Sequence, residues 1–132
     1  MVEHRRTFRP RPRSVGEARH FVLDHLEASG VDPNVAALLT SELATNAVVH
    51  AARTFEVSVQ VEPGYARVEI RNDEPELLLL MRDPGPDDPR GRGLRIVEAF
   101  AHRWGAESSR DAKVVWFELG TAATPFLVRG EP

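Results

Sequence analysis

Polar and apolar residues alternate strictly through two short stretches of the chain. Phe55, Val57, Val59 and Val61 are separated by Glu56, Ser58 and Gln60, with Glu62 after them. Ala66, Val68 and Ile70 are separated by Arg67 and Glu69, with Arg71 after them. A period of two buries one face of a strand and leaves the other polar. Pro63-Gly64 lies between the stretches, so they read as an antiparallel hairpin. Upstream the period lengthens. Val15, Ala18, Phe21, Val22 and Leu26 follow helical spacing, as do Val35, Leu38, Leu39, Leu43 and Ala47. Ser14, with Glu17 three residues on, predicts the capping box of the first helix, and Gly30 its C-terminal stop. Asp32 predicts the cap of the second, with Pro33 at its first turn and an end near 51–52.

Residues 72–90 carry four of the ten prolines and little periodicity, which predicts a long loop. A third helix is expected from about Leu94, with Val97, Phe100 and Ala101 on its apolar side. A short strand from Trp104 and an interior strand through Val114–Leu119 complete the chain. Helices and strands are segregated rather than alternating. That favours an α/β two-layer sandwich, a mixed and mainly antiparallel sheet with helices on one face, over a parallel nucleotide-binding fold. The expected division is an Arg/Pro-rich segment at 1–13 (a tail, or an edge strand around Thr7–Arg9), one domain at 14–120, and a tail at 121–132.

Composition narrows the chemistry. The 132 residues fit one domain and include no cysteine, which removes disulfides, thiolate metal sites and cysteine nucleophiles. No apolar run exceeds five residues, far short of a membrane span, and a cytoplasmic protein is expected. Net charge is −3, yet Arg5, Arg6, Arg9, Arg11 and Arg13 crowd the first thirteen residues. A helix-turn-helix reading of the first two helices fails because Val35–Ala52 has no Arg or Lys to meet phosphates, so nucleic acid is not an expected partner, nor is a membrane. His20 and His25 are five apart and there is no H-E-x-x-H, which argues against a metallohydrolase. Ser14, Ser29, Ser41 and Ser58 have no nucleophile elbow.

Two constellations remain. In SELATNAVVH, Glu42, Asn46 and His50 recur every four residues and drift slowly around a helix. Carboxylate and amide oxygens are hard donors of the kind Mg²⁺ prefers, although on spacing alone a polar helix edge explains the stripe more simply. In RGRGLRIVEAF, Gly91 and Gly93 precede the third helix, with Arg90 and Arg92 beside them. Free N–H groups, close backbone approach and guanidinium donors suit an anion. The G-x-x-x-x-G-K-[ST] order of a P-loop is absent.

Taken in order, the E-x-x-x-N helix, hairpin, long loop, G-x-G-L at a helix start and closing strand resemble the nucleotide-binding domain of the GHKL superfamily (gyrase, the heat-shock chaperone, histidine kinases, MutL). SELATNAVVHA and GRGLRIVEAFAHRWG look most like the stand-alone anti-sigma-factor serine/threonine kinases, and the resemblance runs from Arg13 to Leu119. It implies a Bergerat-type fold that binds ATP and Mg²⁺. It implies Asn46 as the Mg²⁺ ligand and Glu42 as the general base toward a partner's serine hydroxyl. Gly91, Arg92, Gly93 and Leu94 would close on the phosphates, and Asn72 and Asp73 would lie at the adenine. His50 is expected to pack or hydrogen-bond rather than catalyse. The implied partners are a sigma factor or an antagonist of an anti-sigma factor, and a homodimer is compatible with the family.

The sequence departs from the family at the adenine end. An aspartate followed by glycine is usual after the second hairpin strand. Here Asn72-Asp73 stand there, with Asp73 able to substitute if the register slips by one. A neutral amide oxygen accepts a hydrogen bond more weakly than a carboxylate. A threonine usual in the last strand is replaced, by the expected alignment, by Val114. The alternative function is therefore a degenerate domain that binds proteins without kinase activity.

Overall fold

A computed structural model describes residues 1–51, 53–72, 92–108 and 112–121. Five strands, β1 (Val2–Phe8), β2 (Phe55–Glu62), β3 (Tyr65–Asn72), β4 (Arg103–Ser108) and β5 (Lys113–Gly120), form one sheet in the order β1-β2-β3-β5-β4. The sheet expected to be mainly antiparallel is antiparallel in every described pairing. Helices α1 (Arg13–Asp24), α2 (Pro33–Thr45) and α3 (Arg92–Phe100) cover one face. β5 is interior, as its apolar run suggested, because it inserts between β3 and β4.

The core is the alternation read from the sequence. Phe55, Val57, Val59, Ala66, Val68, Ile70, Val115 and Phe117 meet Val22, Leu39, Leu43 and Val97 from the helices, all essentially buried. Each large side chain so buried contributes roughly 1.5–3 kcal/mol. The hairpin turns on Pro63-Gly64, and Gly64 has φ of 83°, the positive value that a Pro-Gly type II turn requires.

The N-terminal segment is an edge strand, and it is longer and earlier than Thr7–Arg9. It pairs with β2 from Val2↔Val61 to Phe8↔Phe55. Pro10 and Pro12 fall just beyond it, where the lost N–H groups cost no ladder bond.

Ser14 does not cap α1. The helix begins at Arg13 after Pro12, whose ring presets a helical φ of −52°. Ser14 lies inside the first turn, where its Oγ donates to the Arg9 carbonyl at 2.6 Å. Gly30, at φ 75°, closes a short 3-10 turn (Glu27–Ser29) rather than α1, which stops at Asp24. The second cap is as expected. The Asn34 N–H donates to Asp32 Oδ1 at 2.9 Å, with Pro33 in the first turn.

The sheet face away from the helices is held by crossed ion pairs. Glu118 is only 4% exposed. Tyr65 Oη donates to its Oε2 at 2.7 Å, Arg67 Nη1 approaches the same oxygen at 3.1 Å, and Arg103 Nε approaches Oε1 at 2.8 Å. Arg67 also pairs with Glu69 at 2.8 Å and stacks over the Trp116 ring. The direct cause is register, since Arg67 and Glu118 are opposite each other across β3 and β5, and Glu118 is opposite Arg103 across β5 and β4.

Candidate nucleotide site

Glu42 and Asn46 sit at the C-terminal end of α2, which contacts α3 and the central strands β3 and β5. Of the expected stripe, Glu42 and Asn46 lie one turn apart here, and the side chain of His50 is outside what the structure describes. α2 passes at Asn46 into a π-helical segment (Asn46–Ala51), and the Asn46 N–H is shared between the Glu42 and Leu43 carbonyls. Four residues overshoot an α-helical turn of 3.6 but fall short of the wider π turn. The drift from 42 to 46 is therefore reversed from 46 to 50, and backbone position 50 returns toward the line of Glu42. A local cause precedes the change. Ser41 Oγ donates to the Ala37 carbonyl at 2.8 Å and Thr45 Oγ1 to the Ser41 carbonyl at 2.7 Å. Such back-bonding loosens and bends a helix. Ser41 also accepts from Arg19 Nη1 at 3.1 Å, which ties α1 to α2 beside Glu42.

Glu42 is half-buried. Asn46 is 4% exposed, and its Nδ2 is buried with no hydrogen-bond partner among the described residues. An unsatisfied buried amide costs about 1–3 kcal/mol. Folded proteins keep such groups where a ligand or water completes them. The orphaned Nδ2 is a hydrogen-bond donor and calls for an acceptor such as a phosphate or water oxygen, whereas the Asn46 amide oxygen and the Glu42 carboxylate are the hard oxygens that fit a cation carried on phosphates. Among the described residues no three His, Asp or Glu side chains cluster to hold a metal alone.

The other expected residues divide. Arg92, Gly93 and Leu94 open α3, so the backbone there is a helix start, and α3 packs against α2. Asn72 ends β3 and is buried. Asp73 and Gly91 lie outside the described residues. The structure corrects Val114. Asn72 is opposite Lys113 across β3 and β5, whereas Val114 is opposite Arg71. Residues directly opposite share a sheet face and neighbours along a strand do not. Val114 therefore belongs with Trp116 and Glu118 on the face away from the helices, and it is not part of a pocket that contains Asn72. Lys113, the one lysine in the chain, takes the position facing Asn72. Sequence alignment missed it by one residue, the shift that moves a strand residue to the other face.

The described helices include none long and apolar enough to cross a membrane. An uncharacterised protein of Streptomyces coelicolor is 30% identical over 79 residues, which cover 57% of this chain and 75% of that protein. The family model of the histidine kinase-like ATPase domain matches residues 8–119. That span takes in β1's last residue, α2 with Glu42 and Asn46, the hairpin, α3 and all but the last residue of β5, and the chain belongs to the histidine kinase-like ATPase domain family.

Proposed function

We propose that the protein is an ATP- and Mg²⁺-binding regulatory serine/threonine kinase of the anti-sigma type, acting in a partner-switching pathway on a sigma factor or an antagonist protein. The observation that carries the reading is the placement of Glu42, a half-buried carboxylate, one helical turn before Asn46, a buried amide whose Nδ2 donor has no acceptor among the described residues, in a histidine kinase-like ATPase domain. Asn46 would hold Mg²⁺ against the nucleotide phosphates, and Mg²⁺ when bound would supply neutralisation of their charge. Glu42 would accept the proton of the attacking serine hydroxyl. The backbone N–H groups at the start of α3 would orient phosphate oxygens. Positioning and charge compensation supply most of phosphoryl-transfer catalysis, so this small set of groups suffices.

The test uses basal phosphate release from Mg²⁺-ATP, with water standing in for the serine hydroxyl. Glu42→Gln is expected to keep ATP affinity and to lower release by roughly 100-fold, the scale of general-base catalysis. Release at the wild-type rate, or no binding of Mg²⁺-ATP at millimolar concentration, contradicts the reading.

A second reading, a protein-binding domain with a decayed base pocket, is favoured by one residue, Asn72, where the family usually has a carboxylate. It loses the support of Val114, which lies on the other face. Asn72→Asp separates the two. A gain of about tenfold or more in ATP affinity, the scale of one charge-assisted hydrogen bond, favours decay. Tight binding by the unmodified protein favours the kinase.

A further inference from the structure

The five arginines of the first thirteen residues are not equivalent. Arg5 is engaged on the sheet by Glu3 at 3.2 Å and Glu56 at 3.7 Å. Arg6 lies over the Phe8 ring, 4.8 Å from its centroid. Arg9, Arg11 and Arg13 are exposed, and their guanidinium groups have no ion pair or hydrogen bond among the described residues. They alternate with Pro10 and Pro12 in the turn that joins β1 to α1.

That turn is built. The Arg11 N–H donates to the Arg9 carbonyl at 2.9 Å, and the Ser14 N–H to the Arg11 carbonyl at 2.9 Å. The Ser14 hydroxyl, buried at the base of the turn, closes it onto the Arg9 carbonyl at 2.6 Å. Two prolines fix φ within it. The backbone that presents the three guanidinium groups is thus ordered before any partner arrives, which lowers the entropic cost of binding. The N–H groups of Ser14 and Val15 are already spent on the Arg11 and Pro12 carbonyls. What the surface offers a ligand is guanidinium forks, matched to carboxylates or phosphates.

We propose that the Arg9–Arg13 turn is a docking surface for an acidic segment of a protein partner, one that presents several Asp or Glu carboxylates along an extended chain. Charge elsewhere selects this occupant over a nucleic acid or a membrane. The first thirteen residues hold five arginines and one glutamate, whereas the other 119 hold twelve basic and nineteen acidic residues. A polyanion wider than the turn meets that acidic body. A short acidic segment interacts within the Debye length, about 8 Å, with the turn alone. The surface shares no residue with the nucleotide site, and its test needs no ATP.

The probe is a fluorescein-labelled, glutamate-rich peptide of about ten residues, titrated with the full chain at moderate salt. A short DNA duplex and phosphatidylserine vesicles are titrated in parallel. The wild type is expected to bind the peptide more tightly than the duplex or the vesicles. Three exposed ion pairs lost together, in Arg9→Ser/Arg11→Ser/Arg13→Ser, weaken binding roughly tenfold or more. Arg5→Ser, which changes net charge at a residue already paired on the sheet, leaves it within about twofold. Ser14→Ala, which keeps all charges, weakens it about threefold because the turn loses its brace. Circular dichroism confirms that each variant is folded. Three outcomes overturn the proposal: no peptide binding, equal losses for Arg5→Ser and each of the three turn arginines replaced singly, or tighter binding of the duplex or vesicles through the same turn.

Discussion

Tyr65 Oη donates a 2.7 Å hydrogen bond to Glu118 Oε2 on the neighbouring strand, and both residues are buried on the sheet face away from the described helices. Burial first, then the hydrogen bond to Glu118 and the charge of that carboxylate, push the Tyr65 phenol well above its ordinary value. The neutral phenol is the form the fold accepts. Its stabilisation is complete below the ordinary tyrosine value, about 10, and is lost as pH rises beyond it. Denaturant midpoints measured from pH 8 upward, in steps across ~10, should fall more steeply for the wild type than for Tyr65→Phe. Equal slopes would remove Tyr65 from the alkaline transition.

Glu118 gathers three partners, so its loss should be felt by all of them. Glu118→Ala leaves Arg67 and Arg103 without their shared carboxylate and Tyr65 without its acceptor. Breaking a buried pair costs about 3–5 kcal/mol, and the part-exposed Arg103 side chain places this one at the low end, about 3 kcal/mol. Urea unfolding measures it. A loss under about 0.5 kcal/mol, the range of an ordinary surface substitution, would show that this network is a solvated decoration.

Gly105 is opposite Trp116 across β4 and β5, and a Cβ there would come 2.8 Å from Trp116 Cζ2. The indole is also stacked by Arg67, 4.1 Å from the ring centroid. Gly105→Ala must displace the ring from that stack, a cost of about 1–3 kcal/mol by overpacking. The expected result is a lower thermal midpoint with a red-shifted, more exposed tryptophan emission. An unchanged midpoint and spectrum would mean that the ring moves freely.

His4 of β1 and His25 after α1 stack with ring centroids 3.8 Å apart, and Phe21 packs edge-on to His25. Burial first, then the charge of His4, hold His25 below its ordinary value, opposed by Asp24. The unfolded chain therefore binds the proton more readily. This contribution to stability is present above the ordinary histidine value, about 6.5, and is lost as pH falls through it toward the lowered value. Hydrogen exchange of β1 amides should quicken as pH is lowered across that window, after correction for intrinsic rates, and His25→Gln should flatten the trend. No difference between the two proteins would dissociate the pair from strand docking.

These relationships mark where sequence reading worked and where it stopped. Alternation at 55–61 and 66–70 located β2, β3 and their buried faces, because a period of two has one structural meaning once a Pro-Gly turn separates the runs. Asp32 and Pro33 located the start of α2 through local backbone chemistry alone. Ser14 misled because Pro12 is the cap position and starts α1 two residues earlier than expected, and a hydroxyl near a helix start can serve the preceding turn instead. The face of Val114 was lost because it depends on register between β3 and β5, which are joined through α3 and β4 and fixed only by long-range packing. The tandem Ser41 and Thr45 were visible signals of a disturbed helix, and they precede the π-helical segment. The burial of Asn46 was not visible, since it requires α2 to be packed against its neighbours.

Asn46 is the residue on which the proposed nucleotide chemistry turns. Calorimetric titration of ATP with and without Mg²⁺, on the wild type and on Asn46→Ala, asks whether the buried amide couples cation to nucleotide. Mg²⁺ is expected to tighten ATP binding to the wild type by about tenfold or more, and Asn46→Ala to abolish that gain, as loss of a ligand to the cation requires. A Mg²⁺-dependent gain of the same size in Asn46→Ala would contradict the assignment of this residue to the metal.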